Sequence, residues 1–234
     1  MPPDVYEQDL MSAADMADPV RHVVYLHGFA SSPASSKAEV FRRGLATAGV
    51  GFSSPDLNQP EFETLTTTRM LAQVREVIEG IPAGPVAIVG SSLGAFVAVL
   101  AADADITGRV DRLILLAPAL DFGGNRLRQF GPHGVEAWRQ AGALRVPHHA
   151  WGEEREIQFA LYEDAAQYDA ITVSTRFPTL VFQGEHDDVV KPAMVQEWAV
   201  GRPLVDLRML ADGHQLSTSI DLVWRESARF LGIR

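Results

Sequence analysis

Two hydrophobic rhythms alternate along the chain. Short β-branched runs, apolar at nearly every position, mark strands buried on both faces of a parallel sheet. Longer stretches with apolar residues three or four apart mark amphipathic helices. Six runs read as strands: HVVYLHG from His22, VGFSSPDL from Val50, GPVAIVG from Gly84, RLILLAPAL from Arg112, TLVFQG from Thr179 and VDLRMLAD from Val205. Between them lie helical patterns. One carries Val40, Phe41 and Leu45 and stops at Gly49; the next carries Leu71, Val74, Val77 and Ile78 and stops near Gly80 and Pro82. SSLGAFVAVLAADA is apolar almost all round, as suits a helix packed centrally on a sheet, and PAMVQEWAVG and STSIDLVWRESARFLG complete the set.

Strands alternating with helices predict βαβ units, right-handed crossovers and helices on both faces. The expectation is a three-layer α/β/α sandwich with a mostly parallel sheet of about six strands, filling 21–234 as one domain. Residues 1–20 read as a loose acidic leader closed by Pro19. The rhythm breaks between 121 and 177, where Gly, Pro and His punctuate short helical pieces such as GVEAWRQAG and REIQFALYEDAAQY, with no strand signal. A structureless loop of that length is improbable, so a small helical cap inserted over one edge of the sheet is expected.

Composition narrows the chemistry. Twenty Lys and Arg against 30 Asp and Glu give a net charge of −10, which disfavours nucleic acid and anionic membranes as partners. The absence of cysteine excludes disulfides, thiolate zinc sites and a cysteine nucleophile. The first residues have no apolar stretch for a signal peptide, and no run has the length of a bilayer span, so the default location is cytoplasmic.

Gly90-Ser91-Ser92-Leu93-Gly94 matches G-x-S-x-G in one frame, with Ser92 at the centre, at the end of a strand and the start of a helix. A serine on such a corner is lifted clear of the backbone, and the crowded corner requires small residues two before and two after. Its hydroxyl needs a base, and that base needs an orienting carboxylate. His214, in LADGHQLS just past the last strand, is the best placed of seven histidines. His27 ends the first strand and suits a structural role; His22 suits the surface; His133, His148 and His149 could line a pocket in the insertion; His186 sits on the same turn as the candidate acid. That acid is Asp187 in QGEHDDVV, with Asp188 and Asp121 as fallbacks and Asp188 otherwise suited to cap the following helix. The order Ser92, Asp187, His214, each past a strand end, is that of α/β-hydrolases. The two backbone donors for an oxyanion are then Leu93, after the nucleophile, and Phe29, in the HGF turn after the first strand.

YLHGFASSP and VGSSLGA carry a resemblance to α/β-hydrolase-fold serine hydrolases, and in particular to small bacterial esterases with YLHGF-x-SSP and VGSSLGG; Ala95 departs from the last glycine. The resemblance covers about 21–120 and 178–234. It implies hydrolysis of a carboxylic ester or thioester, on a small-molecule acyl substrate, through an acyl-enzyme and without metal or cofactor. The same triad also serves peptidases and C–C bond hydrolases, and a non-catalytic binding protein could keep the fold. Ser92 disfavours a dehalogenase, which has Asp there. Phe130, Trp138, Trp151, Phe159 and Tyr162 in the insertion are candidates either to line an acyl pocket or to pack the cap. Glu153, Glu154 and Glu156 read as a solvated face.

Overall fold

The computed structural model describes residues 20–126 and 134–233. Most of the leader, with His133 and Phe130, therefore lies outside the described residues. Val20, which the sequence assigns to the leader, is buried in the core.

All six expected strands form one parallel sheet: β1 His22–Leu26, β2 Gly51–Ser53, β3 Val86–Ser91, β4 Val110–Leu116, β7 Thr179–Gly184 and β8 Val205–Leu210. Their order is β2-β1-β3-β4-β7-β8. Consecutive side chains of a strand go to opposite faces, and the core divides accordingly. Val23, Tyr25, Ile114 and Phe182 join Phe41 and Leu45 of α1 (Ser36–Thr47) and Val223 of α7 (Ile220–Phe230). Val24, Leu26, Leu113 and Val181 join α2 (Thr67–Gly80), α3 (Leu93–Asp103) and α6 (Pro192–Ala199) on the other face. α3 is buried at every residue from Leu93 to Ala102, which explains its all-round apolar sequence.

The strand order reverses direction at β1, since β2 lies on one side of it and β3 on the other. A crevice opens at such a switch point, outside the carboxyl ends of the strands. The turns after β1, β3, β7 and β8 all emerge at that end.

The segment 121–177 departs from the expected all-helical cap. It holds a π-helical turn Phe122–Arg126, α4 (Gly134–Ala141) and α5 (Ala160–Ala165), but also an antiparallel hairpin of β5 (Ala143–His148) and β6 (Glu153–Gln158). REIQ, expected as helix, is thus strand. Leu144 faces Ile157 and Val146 faces Arg155 on the inner side, while Arg145, Glu154 and Glu156 are exposed on the other. The hairpin is tied to the sheet domain by Ala150 N donating to Ala30 O at 3.3 Å and by Arg155 Nε donating to Glu63 Oε1 at 2.6 Å. The buried Trp138 indole donates to Ile157 O at 3.1 Å. Among the described residues no helix is long and apolar enough to cross a membrane.

Candidate active site

Ser92 sits between β3 and α3 with φ +53° and ψ −113°, a conformation that non-glycine residues rarely adopt. Its backbone is held from both sides. Its N–H donates to Leu116 O at 2.9 Å, and its carbonyl accepts from Ala95 N at 3.0 Å and Ala119 N at 3.2 Å. Both flanking glycines are sterically required. A Cβ on Gly90 would lie 2.5 Å from Ala95 Cα, and one on Gly94 would run into the Leu26 and His27 carbonyls. The elbow therefore presses directly on the end of β1.

His214 reaches the serine from the loop after β8. Its Nε2 lies 3.1 Å from Ser92 Oγ and its Nδ1 lies 2.9 Å from Asp187 Oδ2. A carboxylate can only accept, so Nδ1 carries the proton and Nε2 is left as an acceptor for the serine hydroxyl. Of the adjacent aspartates it is Asp187 that meets His214; its side chain is fully buried, whereas Asp188 is exposed. Asp187 also accepts from Val189 N at 2.8 Å, Val190 N at 2.7 Å and Gln183 Nε2 at 2.9 Å. Burial works to raise its pKa, but the bonds from His214 and Val190 and the charge of His214 outweigh it and hold the carboxyl below its ordinary value. Asp188 does not cap α6, whose N-cap is Lys191 without a side-chain bond.

The HGF turn passes close over the elbow. A Cβ on Gly28 would sit 3.4 Å from Ser91 O and from Ser92 Cβ. His27 is buried, accepts from Leu57 N at 3.0 Å through Nε2, and so donates from Nδ1 to Gly28 O at 2.8 Å. That carbonyl shares a peptide unit with the Phe29 N–H, so the histidine fixes how this N–H is aimed. Leu93 N is the first N–H of α3, one of those no helix can satisfy internally.

The other candidates separate. Ser91 ends β3 and is buried. His22 is half-buried rather than on the surface, bonded to Ser53 Oγ at 2.8 Å. His186 and His149 are exposed. His148 is buried, stacked on Trp151 with ring centroids 3.6 Å apart and edge-on to Phe62. Trp138, Phe159 and Tyr162 pack on one another within the insertion. Among the described residues no group of three metal-ligating side chains converges.

Sequence reading did not find the parts that brace the His214 loop. Asp212 accepts from Gly213 N at 2.7 Å and Ser219 N at 2.8 Å, and its carbonyl accepts from His186 N at 3.0 Å. A Cβ on Gly184, at the end of β7, would lie 2.5 Å from Asp212 O, so this glycine lets the two turns approach. Lys37 Nζ donates to Gln215 O at 2.9 Å and to Gln215 Oε1 at 3.2 Å. The available signal for Lys37 is helical spacing, which puts it on one face with Phe41 and Leu45.

Comparison with known proteins agrees with this architecture. The sequence profile of the Uncharacterised protein family (UPF0227) matches residues 22–217. No curated protein matches the chain. Among solved structures, alpha/beta hydrolase domain-containing protein 10 from mouse superposes with a TM-score of 0.75 at 19% identity, covering 93% of this chain and 92% of its own. Est1E from Butyrivibrio proteoclasticus, with ferulic acid bound, gives 0.75 at 16%, covering 93% and 90%. The monoacylglycerol lipase of Paleococcus ferrophilus gives 0.71 at 14%, covering 92% and 95%. The fold is that of the α/β-hydrolases.

Proposed function

We propose that this chain, which belongs to the Uncharacterised protein family (UPF0227), is a serine hydrolase that cleaves a carboxylic ester or thioester through an acyl-enzyme. The observation that carries the reading is the continuous chain from Ser92 Oγ through both nitrogens of His214 to Asp187. His214 Nε2 takes the hydroxyl proton as Ser92 Oγ attacks the substrate carbonyl. Asp187 holds the neutral ring in the tautomer that can do this and then stabilises the imidazolium. The Phe29 and Leu93 N–H groups stabilise the oxyanion, the first aimed by His27 and the second helped by the positive end of α3. Collapse breaks the acyl–oxygen or acyl–sulfur bond, and the imidazolium returns its proton to the leaving group. Water then repeats the sequence and frees the acid. The reading places the 121–177 segment over the crevice as the part that selects the acyl group, in keeping with its bond to the HGF turn through Ala150 and Ala30.

The test is turnover of p-nitrophenyl esters of graded acyl length by wild type, Ser92→Ala and Ser91→Ala. Ser92→Ala should abolish turnover while Ser91→Ala retains it. Turnover surviving in Ser92→Ala would refute the assignment.

A further inference from the structure

We propose that Lys37 is a positioning residue of this site: from α1 it fixes the turn that carries His214 by donating to Gln215, and so keeps the imidazole within reach of Ser92. The inference rests on the hydrolase reading above. Gly213, His214, Gln215 and Leu216 form a tight turn closed by Leu216 N donating to Gly213 O at 3.2 Å. Leu216 has φ +53°, so the turn is held in a conformation an L-residue rarely adopts, and its side chain is fully buried. The Gln215 carbonyl belongs to the peptide that enters Leu216. Lys37 grips this carbonyl and the same residue's amide oxygen. The two are 178 residues apart, and α1 follows the HGF turn, so one side chain ties the oxyanion side of the site to the base side.

Packing alone does not account for a lysine here. Lys37 is only 8% exposed, and lysine is seldom buried unless it is paired. An apolar residue would fill the face beside Phe41 without burying a charge. The charged groups that act on the ammonium are Asp187, from the turn after β7, and Asp212, from the loop after β8. Burial pushes the lysine down to about 8, with the two carboxylates working against that shift. Its charge is therefore present at neutral pH and lost in mild alkali, where its hold on the carbonyl weakens. The folded-state value lies below that of the unfolded chain, so at neutral pH the buried charge costs stability rather than adding it.

The experiment compares wild type, Lys37→Met and Lys37→Gln by ester turnover across neutral and alkaline pH. Thermal midpoints and the fraction of molecules labelled by a fluorophosphonate are measured alongside. Lys37→Met should lose about 10- to 100-fold in kcat per labelled molecule, the scale of one hydrogen bond from a charged group. KM should change little and the midpoint should not fall. Lys37→Gln, which keeps a donor, should recover part of the loss. Wild type should lose activity above about pH 8, and that limb should be missing in both variants. The inference is overturned if both variants turn over like wild type per labelled molecule, if the alkaline limb persists in them, or if their losses follow the melting temperature alone. Should Lys37→Met fail to fold, Lys37→Gln decides by the same criteria. Wild type that neither labels nor turns over would instead remove the hydrolase reading itself.

Discussion

His214 Nε2 lies 3.1 Å from Ser92 Oγ although the two residues are 122 positions apart. The parallel register produces the meeting: β3 and β8 both end on the crevice side, Ser92 directly follows β3, and His214 stands on the turn four residues past the end of β8.

Asp187→Asn should leave the fold in place and cut kcat by about 10³- to 10⁴-fold, because the amide no longer selects the tautomer that frees Nε2. Asp188→Asn should behave as wild type, since Asp188 is exposed and does not contact His214. Steady-state kinetics of the pair checks the assignment. Equal losses in the two variants would contradict it.

The pH dependence has a definite sign. Asp187 is held below its ordinary value, so its folded form prefers the charged state. The stability it contributes is present above the carboxylate range and lost as pH falls through its folded-state value. Circular dichroism followed as the pH is lowered should show stability constant above the carboxylate range and falling below it, and Asp187→Asn should weaken that fall; an unchanged profile in the variant would contradict it.

Gly94→Ala should destabilise the chain by about 1–3 kcal/mol and impair turnover, because the added methyl meets the Leu26 and His27 carbonyls, both backbone. Gly80→Ala is the matched control. It ends α2 with open space around it and should stabilise by up to about 1 kcal/mol. Denaturant midpoints measure both.

Trp138→Ala should cost about 3–5 kcal/mol, the range for removing a large buried ring, and should loosen the hairpin whose Ile157 carbonyl it holds. Hydrogen exchange should show lost protection across Ala143–Gln158 while the β3 and β4 amides stay protected. Uniform loss across the sheet would contradict a locally anchored insertion.

The sheet was legible because β1, β3, β4 and β7 are buried on both faces and leave almost unbroken apolar runs. The hairpin was not. Its outer face carries Arg145, Glu154 and Glu156, and Pro147 lies within β5, so its period-two pattern reads as polar loop and helix. Ser92, Asp187 and His214 could be picked out because each stands within four residues of the end of a strand, on the turn that follows it. Lys37 could not, because what defines it is a contact with Gln215 made only in the folded chain. Gly184 shows the same limit: its need for a hydrogen side chain comes from the Asp212 carbonyl on another strand's turn.

The most direct measurement is mass-spectrometric mapping of the fluorophosphonate adduct, with fragmentation that separates the adjacent serines. One adduct per chain is expected, on Ser92, absent in Ser92→Ala and formed far more slowly in His214→Ala. An adduct on Ser91, or labelling that persists in Ser92→Ala, would contradict it.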